Sequence, residues 1–217
     1  KALGAEVVLT PAAEGMKGAI ARATKLQQEI PGSWIPQQFD NPANPAWHRA
    51  TTGPEILQDF AGKRLDWFVT GYGTGGTLTG AGEVMKLARP DLKIAVSEPA
   101  GAALLSGNEW KPHKIQGWSP DFIPSVVNRD IYDQIVKVDE VYARDTARAL
   151  AQQEGIFCGI SGGATFAAAL DIAITLPEGS VLLAMIPDTG ERYLSTFLFE
   201  GVNEGSDDEW LATLESK

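Results

Sequence analysis

A chain of 217 residues with 44% hydrophobic side chains can bury one large or two small cores, and nothing in its composition reads as disorder before the acidic end. Its formal charge of −10, from 18 basic against 28 acidic side chains, argues against nucleic acid or an anionic membrane as the main partner. One cysteine, Cys158, excludes an intrachain disulfide and suits a reducing, soluble compartment, either the cytoplasm or an organelle stroma or matrix.

In chain order, "KALGAEVVLTP" has no initiator methionine and opens like the last turn of a helix capped by Gly4, followed by a strand over 5–10. It reads as a chain entered in mid-fold, hence a fragment. "GMKGAIARATKLQQEIPG" predicts a helix ended by Pro31-Gly32, and "SWIPQQF" a strand. "NPANPAWHRATTGPEILQDFAG" predicts a proline-punctuated loop leading into a helix. "LDWFVT" is a buried strand, "LTGAGEVMKLARP" a helix stopped by Pro90, and "KIAVSEP" a second strand, so that 65–99 form a βαβ unit. "GAALLSGNEWKPHKIQGWSPDFIP" lacks periodicity, and irregular stretches of that length are usually functional. "QIVKVDE" then reads as a strand, "ARDTARALAQQEG" as an amphipathic helix capped by Gly155, and "IFCGISGGATFAAALDIAITL" as a small-residue helix entered at Ser161. A last strand in "GSVLLAMIP" precedes a polar turn. This alternation predicts a parallel α/β sheet with ligands at the strand C-terminal ends.

The βαβ turn concentrates five glycines and four threonines in "VTGYGTGGTLTG", residues 69–80. Glycine loses the most conformational freedom on folding, so the cluster needs a reason. One reading is a tight turn with glycines for close packing. The other is an anion cradle, where backbone N–H groups converge at a helix start. The spacing fits neither G-x-x-x-x-G-K-[ST] nor G-x-G-x-x-G, and no lysine follows, so a small monophosphate suits it better than a nucleotide. Metal catalysis has no support, because His48 and His113 stand alone. "GISGG" is not the G-x-S-x-G elbow of a hydrolase. Taken singly, Ser161 reads as a helix N-cap, His48 as a surface or packing histidine, and Cys158 as a buried structural thiol.

Four motifs in order, "QQFDNPANPAWHRATTGPEI", "GTGGTLTG", "EGIFCGISGGA" and "PDTGERYLST", resemble the cysteine synthase (O-acetylserine sulfhydrylase) family up to about residue 199. The resemblance implies an α/β, three-layer parallel-sheet fold of the tryptophan-synthase-β type (PLP fold type II), incomplete at the N-terminus. Residues 1–33 would end an N-terminal, substrate-side domain, 34–200 would form the C-terminal cofactor domain, and 201–217 an acidic tail. It implies pyridoxal 5'-phosphate as cofactor, with Gly73, Thr74, Gly75, Gly76 and Thr77 around its phosphate, Ser161 at its pyridine nitrogen, and Gln38 on the amino-acid substrate. The implied reaction is β-replacement through an aminoacrylate, from O-acetylserine and sulfide to cysteine and acetate. A homodimer and a serine acetyltransferase partner are implied with it. The family's Schiff-base lysine motif matches no lysine present, so it is expected upstream of residue 1.

One local departure stands out: "GWSPDF", residues 117–122, replaces the family's usual "GIGAGF". Trp118 and Pro120 stiffen a loop expected at the active-site mouth, and Asp121 brings a charge that also occurs in cystathionine β-synthases. That patch leaves cystathionine β-synthase chemistry as an alternative, and the absence of the lysine leaves a phosphate-binding module without chemistry as another.

Overall fold

In the computed structural model, which describes residues 1–202 together with 205, 206, 211 and 214, four parallel strands form one sheet. They are β1 (Trp67–Gly71), β2 (Lys93–Pro99), β3 (Gln134–Val138) and β4 (Leu182–Ala184), in the order β3-β2-β1-β4. The register pairs Val69 with Ala95 and with Ala184, and Ala95 with Gln134. Most of the acidic tail expected over 201–217 lies outside the described residues.

Side chains alternate across each strand, so each face builds its own core. Phe68, Ile94 and Val96 pack with Leu78, Ala81 and Met85 of α4 (Gly76–Ala88). Val69, Ala95, Val136 and Val138 pack with α5 (Glu140–Glu154) and α6 (Ile160–Ala173). The sheet is thus covered on both faces, which is why its central strands read as continuous apolar runs. The chain leaves β1 through α4 on one face and returns from β3 to β4 through α5 and α6 on the other. The direction of winding therefore reverses between β1 and β4, and ligands gather at such a point.

Two predicted strands do not form. Residues 5–10 have no regular secondary structure and no ladder partner among the described residues, and Val7, Val8 and Leu9 are exposed. A strand needs a neighbour to pair with, and local propensity does not supply one. Over 33–39 the chain turns instead at Gln37, which has φ +53 and accepts from the N–H groups of Asp40 (2.9 Å) and Asn41 (2.8 Å). Over 41–62, where the sequence predicts a proline-punctuated loop leading into a helix, the helix forms as α3 (Thr52–Asp59), and the loop before it is mostly a second short helix, α2 (Ala43–Ala50). Pro45 and Pro54 each fall in a first turn, where a missing N–H costs nothing, so they start helices rather than break them.

The remaining elements form as expected. Helix α1 (Gly15–Glu29) ends before Pro31-Gly32, and α5 is closed by Gly155 at φ +70. But α5 starts at Glu140, earlier than the expected Ala143, because Asp139, expected in the preceding strand, caps it by accepting from Val141 N and Tyr142 N. Between β2 and β3 only a 3-10 turn, Ala100–Ala102, is regular. The start of that loop is organised by the fully buried Glu98, whose carboxylate accepts from Leu105 N (2.9 Å), Ser106 N (3.1 Å) and Ser106 Oγ (2.5 Å). Three donors on one carboxylate offset its desolvation.

Candidate active site

The glycine turn places the N-terminus of α4 at the end of β1. Gly75 is the N-cap, in the left-handed region at φ +88, with no side-chain cap. Among the described residues, the N–H groups of Thr74, Gly75, Thr77 and Leu78 have no acceptor, which leaves an open set of donors at a helix start. Gly76 N donates to Thr74 Oγ1 (3.2 Å), as does Asn44 Nδ2 (2.9 Å). With its oxygen accepting twice, Thr74 keeps its hydroxyl proton to donate elsewhere.

The Cα faces of these glycines are covered by protein. A methyl on Gly73 would overlap the Gly117 carbonyl, one on Gly75 the Val127 side chain, and one on Gly76 the Asn44 amide. Close packing therefore explains the glycines. The open N–H groups of the same turn are a separate feature, so the two readings of the sequence hold together.

Across the sheet end, Ser161 sits in the first turn of α6. The N-cap is Gly159, so Ser161 is not the cap its position suggested. It is 4% exposed, its carbonyl accepts from Thr165 Oγ1 (3.0 Å), and its own hydroxyl has no partner among the described residues. Ser161, Thr77 and Gly73 line one pocket of about 300 Å³ at the ends of β1 and β4. Asp188 and Tyr193 close its far side. Tyr193 donates to Asp188 Oδ2, and burial together with that carboxylate pushes the phenol pKa up to about 12.

Gln38 and Thr74 line a second compartment of about 350 Å³. It shares Gly73, Gly117 and Trp118 with the first. Of the seven expected residues, five thus border this divided cleft, and Gly75 and Gly76 lie behind it as backbone. His48, read from sequence as a packing or surface residue, is tied to the cradle: Nδ1 meets Thr52 Oγ1 (2.8 Å) and Nε2 meets Thr77 Oγ1 (3.3 Å). Burial lowers its pKa, so a neutral ring can accept from Thr52 and donate to Thr77. Trp118 belongs to the 117–122 loop expected at the active-site mouth and does border the cleft; Asn44, Asp188 and Tyr193 are not assigned to the site from sequence. Each lies inside or beside a recognised motif, but only the fold brings it to the cleft. Cys158 is buried and its thiol pKa is raised by that burial, in keeping with a structural role.

The cleft fits pyridoxal phosphate: open N–H donors and the Thr74 and Thr77 hydroxyls border it at the α4 start, and Ser161, whose neutral hydroxyl is unpartnered among the described residues, borders it at the α6 start. Comparison with known proteins agrees. Residues 1–188 match the family model described as pyridoxal-phosphate dependent enzyme. The chain is 58% identical over 216 residues to an O-ureido-L-serine synthase of Streptomyces lavendulae, covering 100% of this chain and 66% of that protein. A crystal structure of O-ureido-L-serine synthase superposes with a TM-score of 0.91 at 59% identity, over 97% of this chain and 66% of that one. A cysteine synthase of Staphylococcus aureus is 50% identical over 199 residues, 92% of this chain and 64% of the relative. The chain thus spans slightly less than two thirds of the length of these relatives. It belongs to the pyridoxal-phosphate dependent enzymes, among the relatives of cysteine synthase, with their α/β parallel-sheet fold and their cofactor.

Proposed function

We propose that this chain forms the cofactor-binding part of a β-replacement enzyme that makes cysteine from O-acetylserine and sulfide. The observation that carries the reading is that the uncapped α4 N-terminus, through Gly73 and Thr77, and Ser161, whose hydroxyl is free among the described residues, line one pocket. The N–H groups of Thr74, Gly75, Thr77 and Leu78 and the hydroxyls of Thr74 and Thr77 would hold the phosphate, each charge-assisted bond contributing roughly 1.5–3 kcal/mol. Ser161 would meet the pyridine nitrogen as a neutral group, without the full positive charge an aspartate would enforce there. Gln38 would orient the amino acid from the second compartment. Bound pyridoxal phosphate supplies the electron sink that lets the Cα proton and acetate leave. In balance, the C–O bond to acetate breaks, a C–S bond to hydrosulfide forms, and the proton taken from Cα is returned. Residues 1–33 belong in this reading to the substrate-side domain and 34–200 to the cofactor domain. A homodimer and a serine acetyltransferase partner belong to it as well.

A second reading has its own support. Identity is higher to the O-ureido-L-serine synthase, at 58% over the whole chain, than to the cysteine synthase, at 50% over 199 residues. In that case the nucleophile would be a hydroxylated urea attacking through oxygen, with acetate and a proton released. The full-length protein, loaded with pyridoxal phosphate and given O-acetylserine, sulfide, hydroxyurea and homocysteine in competition, separates the readings by product. Cysteine in excess is expected. Predominant ureidoserine would favour the second reading, and predominant cystathionine would overturn both.

A further inference from the structure

The two compartments of the cleft share three residues, Gly73, Gly117 and Trp118, and only Trp118 among them has a side chain. Trp118 stands on their common border. Its indole packs against Gly71 at the end of β1, so closely that a methyl there would fall among its Cε2, Cζ2 and Nε1 atoms.

The segment bearing it is held from several sides. Trp118 N donates to Ile115 O (3.3 Å), and the neighbouring Ser119 is 1% exposed at φ +42. Ser119 N donates to Tyr72 O (2.9 Å) and its Oγ donates to Ala102 O (2.9 Å), while Tyr72 Oη and Ser119 Oγ lie 2.7 Å apart. The Ser119 carbonyl accepts from Trp110 Nε1 (2.9 Å) and lies 3.3 Å from His113 Nε2. Such a wall is ordered before any ligand arrives, so a contact made from it costs little entropy on binding.

One polar group on this wall is left over. Trp118 is 7% exposed, yet its indole N–H has no acceptor among the described residues, and it is not one of the polar atoms sealed from solvent. A buried indole N–H ordinarily finds a partner. Nε1 is among the indole atoms set against Gly71, and Gly71 lines the first compartment with Thr77 and Ser161.

Resting on the β-replacement reading, we propose that Trp118 is a specificity-determining residue whose indole N–H binds a carbonyl oxygen on the group exchanged at the serine Cβ. An O-acyl leaving group and a ureido-type nucleophile both carry that oxygen. A halide leaving group and hydrosulfide do not. The residue therefore favours substrates with a carbonyl one or two atoms from the oxygen bonded to Cβ, and it does so from a fixed wall rather than a moving lid.

The test compares full-length holoenzyme with its Trp118→Phe variant, which keeps the ring and removes the N–H. Four pairings are run: O-acetylserine or 3-chloroalanine as donor, with sulfide or hydroxyurea as acceptor. If the leaving acyl group is read, the ratio of kcat/KM for O-acetylserine over 3-chloroalanine falls about five-fold in the variant. If the nucleophile is read, the ratio for hydroxyurea over sulfide falls by a similar factor. Equal changes across all four pairings would overturn the proposal. A readout independent of turnover is the ¹⁵N-indole resonance of Trp118, identified by its loss in the variant. It should move on adding acetate or hydroxyurea to the wild-type holoenzyme, and no movement with either would also overturn the proposal. Absence of turnover on every pairing would instead sink the β-replacement reading, and the resonance would still decide the role of Trp118.

Discussion

Ser161 and Thr77 present hydroxyls to the same pocket but differ in what else depends on them. Ser161 Oγ has no partner among the described residues and does not cap α6. Ser161→Ala should therefore leave the melting temperature within about 1 °C, since loss of a true N-cap would cost about 1 kcal/mol. Affinity for pyridoxal phosphate should drop about five-fold, the worth of one neutral hydrogen bond, in reconstitution of the full-length apoprotein. Thr77 is expected to donate to a dianionic phosphate while His48 holds its oxygen. Thr77→Val should weaken cofactor binding by ten-fold or more in the same titration, because a charge-assisted bond is roughly twice as strong. Cofactor affinity unchanged in Thr77→Val would remove that residue from the cradle. A valine at Gly75, by contrast, cannot report on the phosphate, because φ +88 and contact with Val127 penalise it whether or not an anion binds.

Helices α5 and α6 show the same logic at the scale of an element. They cross where Gly163 lets α6 approach the Ala143 carbonyl and the Ala147 methyl, both of which a Cβ at 163 would strike. The approach carries Ser161, two residues earlier, to the end of the sheet. Gly163→Ala should lower stability by about 1–3 kcal/mol through overpacking, and hence the melting temperature by several degrees. Gly101→Ala serves as control, since nothing lies within 4 Å of that position and its φ is not positive. Equal melting temperatures for the two variants would show that the helices adjust without cost.

On the scale of the whole molecule, Asp133 ties helix, strand and loop together. Its carboxylate meets Lys86 Nζ of α4 (2.7 Å), Lys93 Nζ of β2 (3.3 Å) and Ile94 N (2.8 Å). Burial alone would raise its pKa, but these three donors outweigh it and hold the value below the usual carboxylate range. A depressed folded-state pKa means stabilisation that is present above the unfolded value of about 4 and is lost as pH falls through the lower folded value. Asp133→Asn should cost on the order of 1 kcal/mol at pH 7, discounted for partial exposure, and the deficit should shrink toward pH 3. Thermal melts of both proteins across that window check it. A deficit constant with pH would assign the effect to packing instead of charge.

The sequence by itself determined whatever depends on neighbours along the chain. The β1–α4–β2 unit, the Gly155 cap of α5 and the irregular stretch after β2 follow from periodicity, glycine placement and the lack of any repeat, whereas the start of α5 at Asp139 does not. Four ordered motifs sufficed to indicate the family and its cofactor, because the motif residues are set by chemistry. Tertiary structure decided what depends on partners far away in sequence. Residues 5–10 and 33–39 have strand composition but no ladder among the described residues, and pairing is a long-range property that propensity does not contain. Pro45 and Pro54 read as loop punctuation until packing against α4 turned their segments into helices. Ser161 reads as a cap from its neighbours alone, and only the packing of α6 on the sheet brings it to the pocket that Thr77 also lines. The seat of Trp118 on Gly71 was equally hidden. Both residues were visible in the sequence, but the contact between them exists only because β1 ends where the 117–121 segment crosses it.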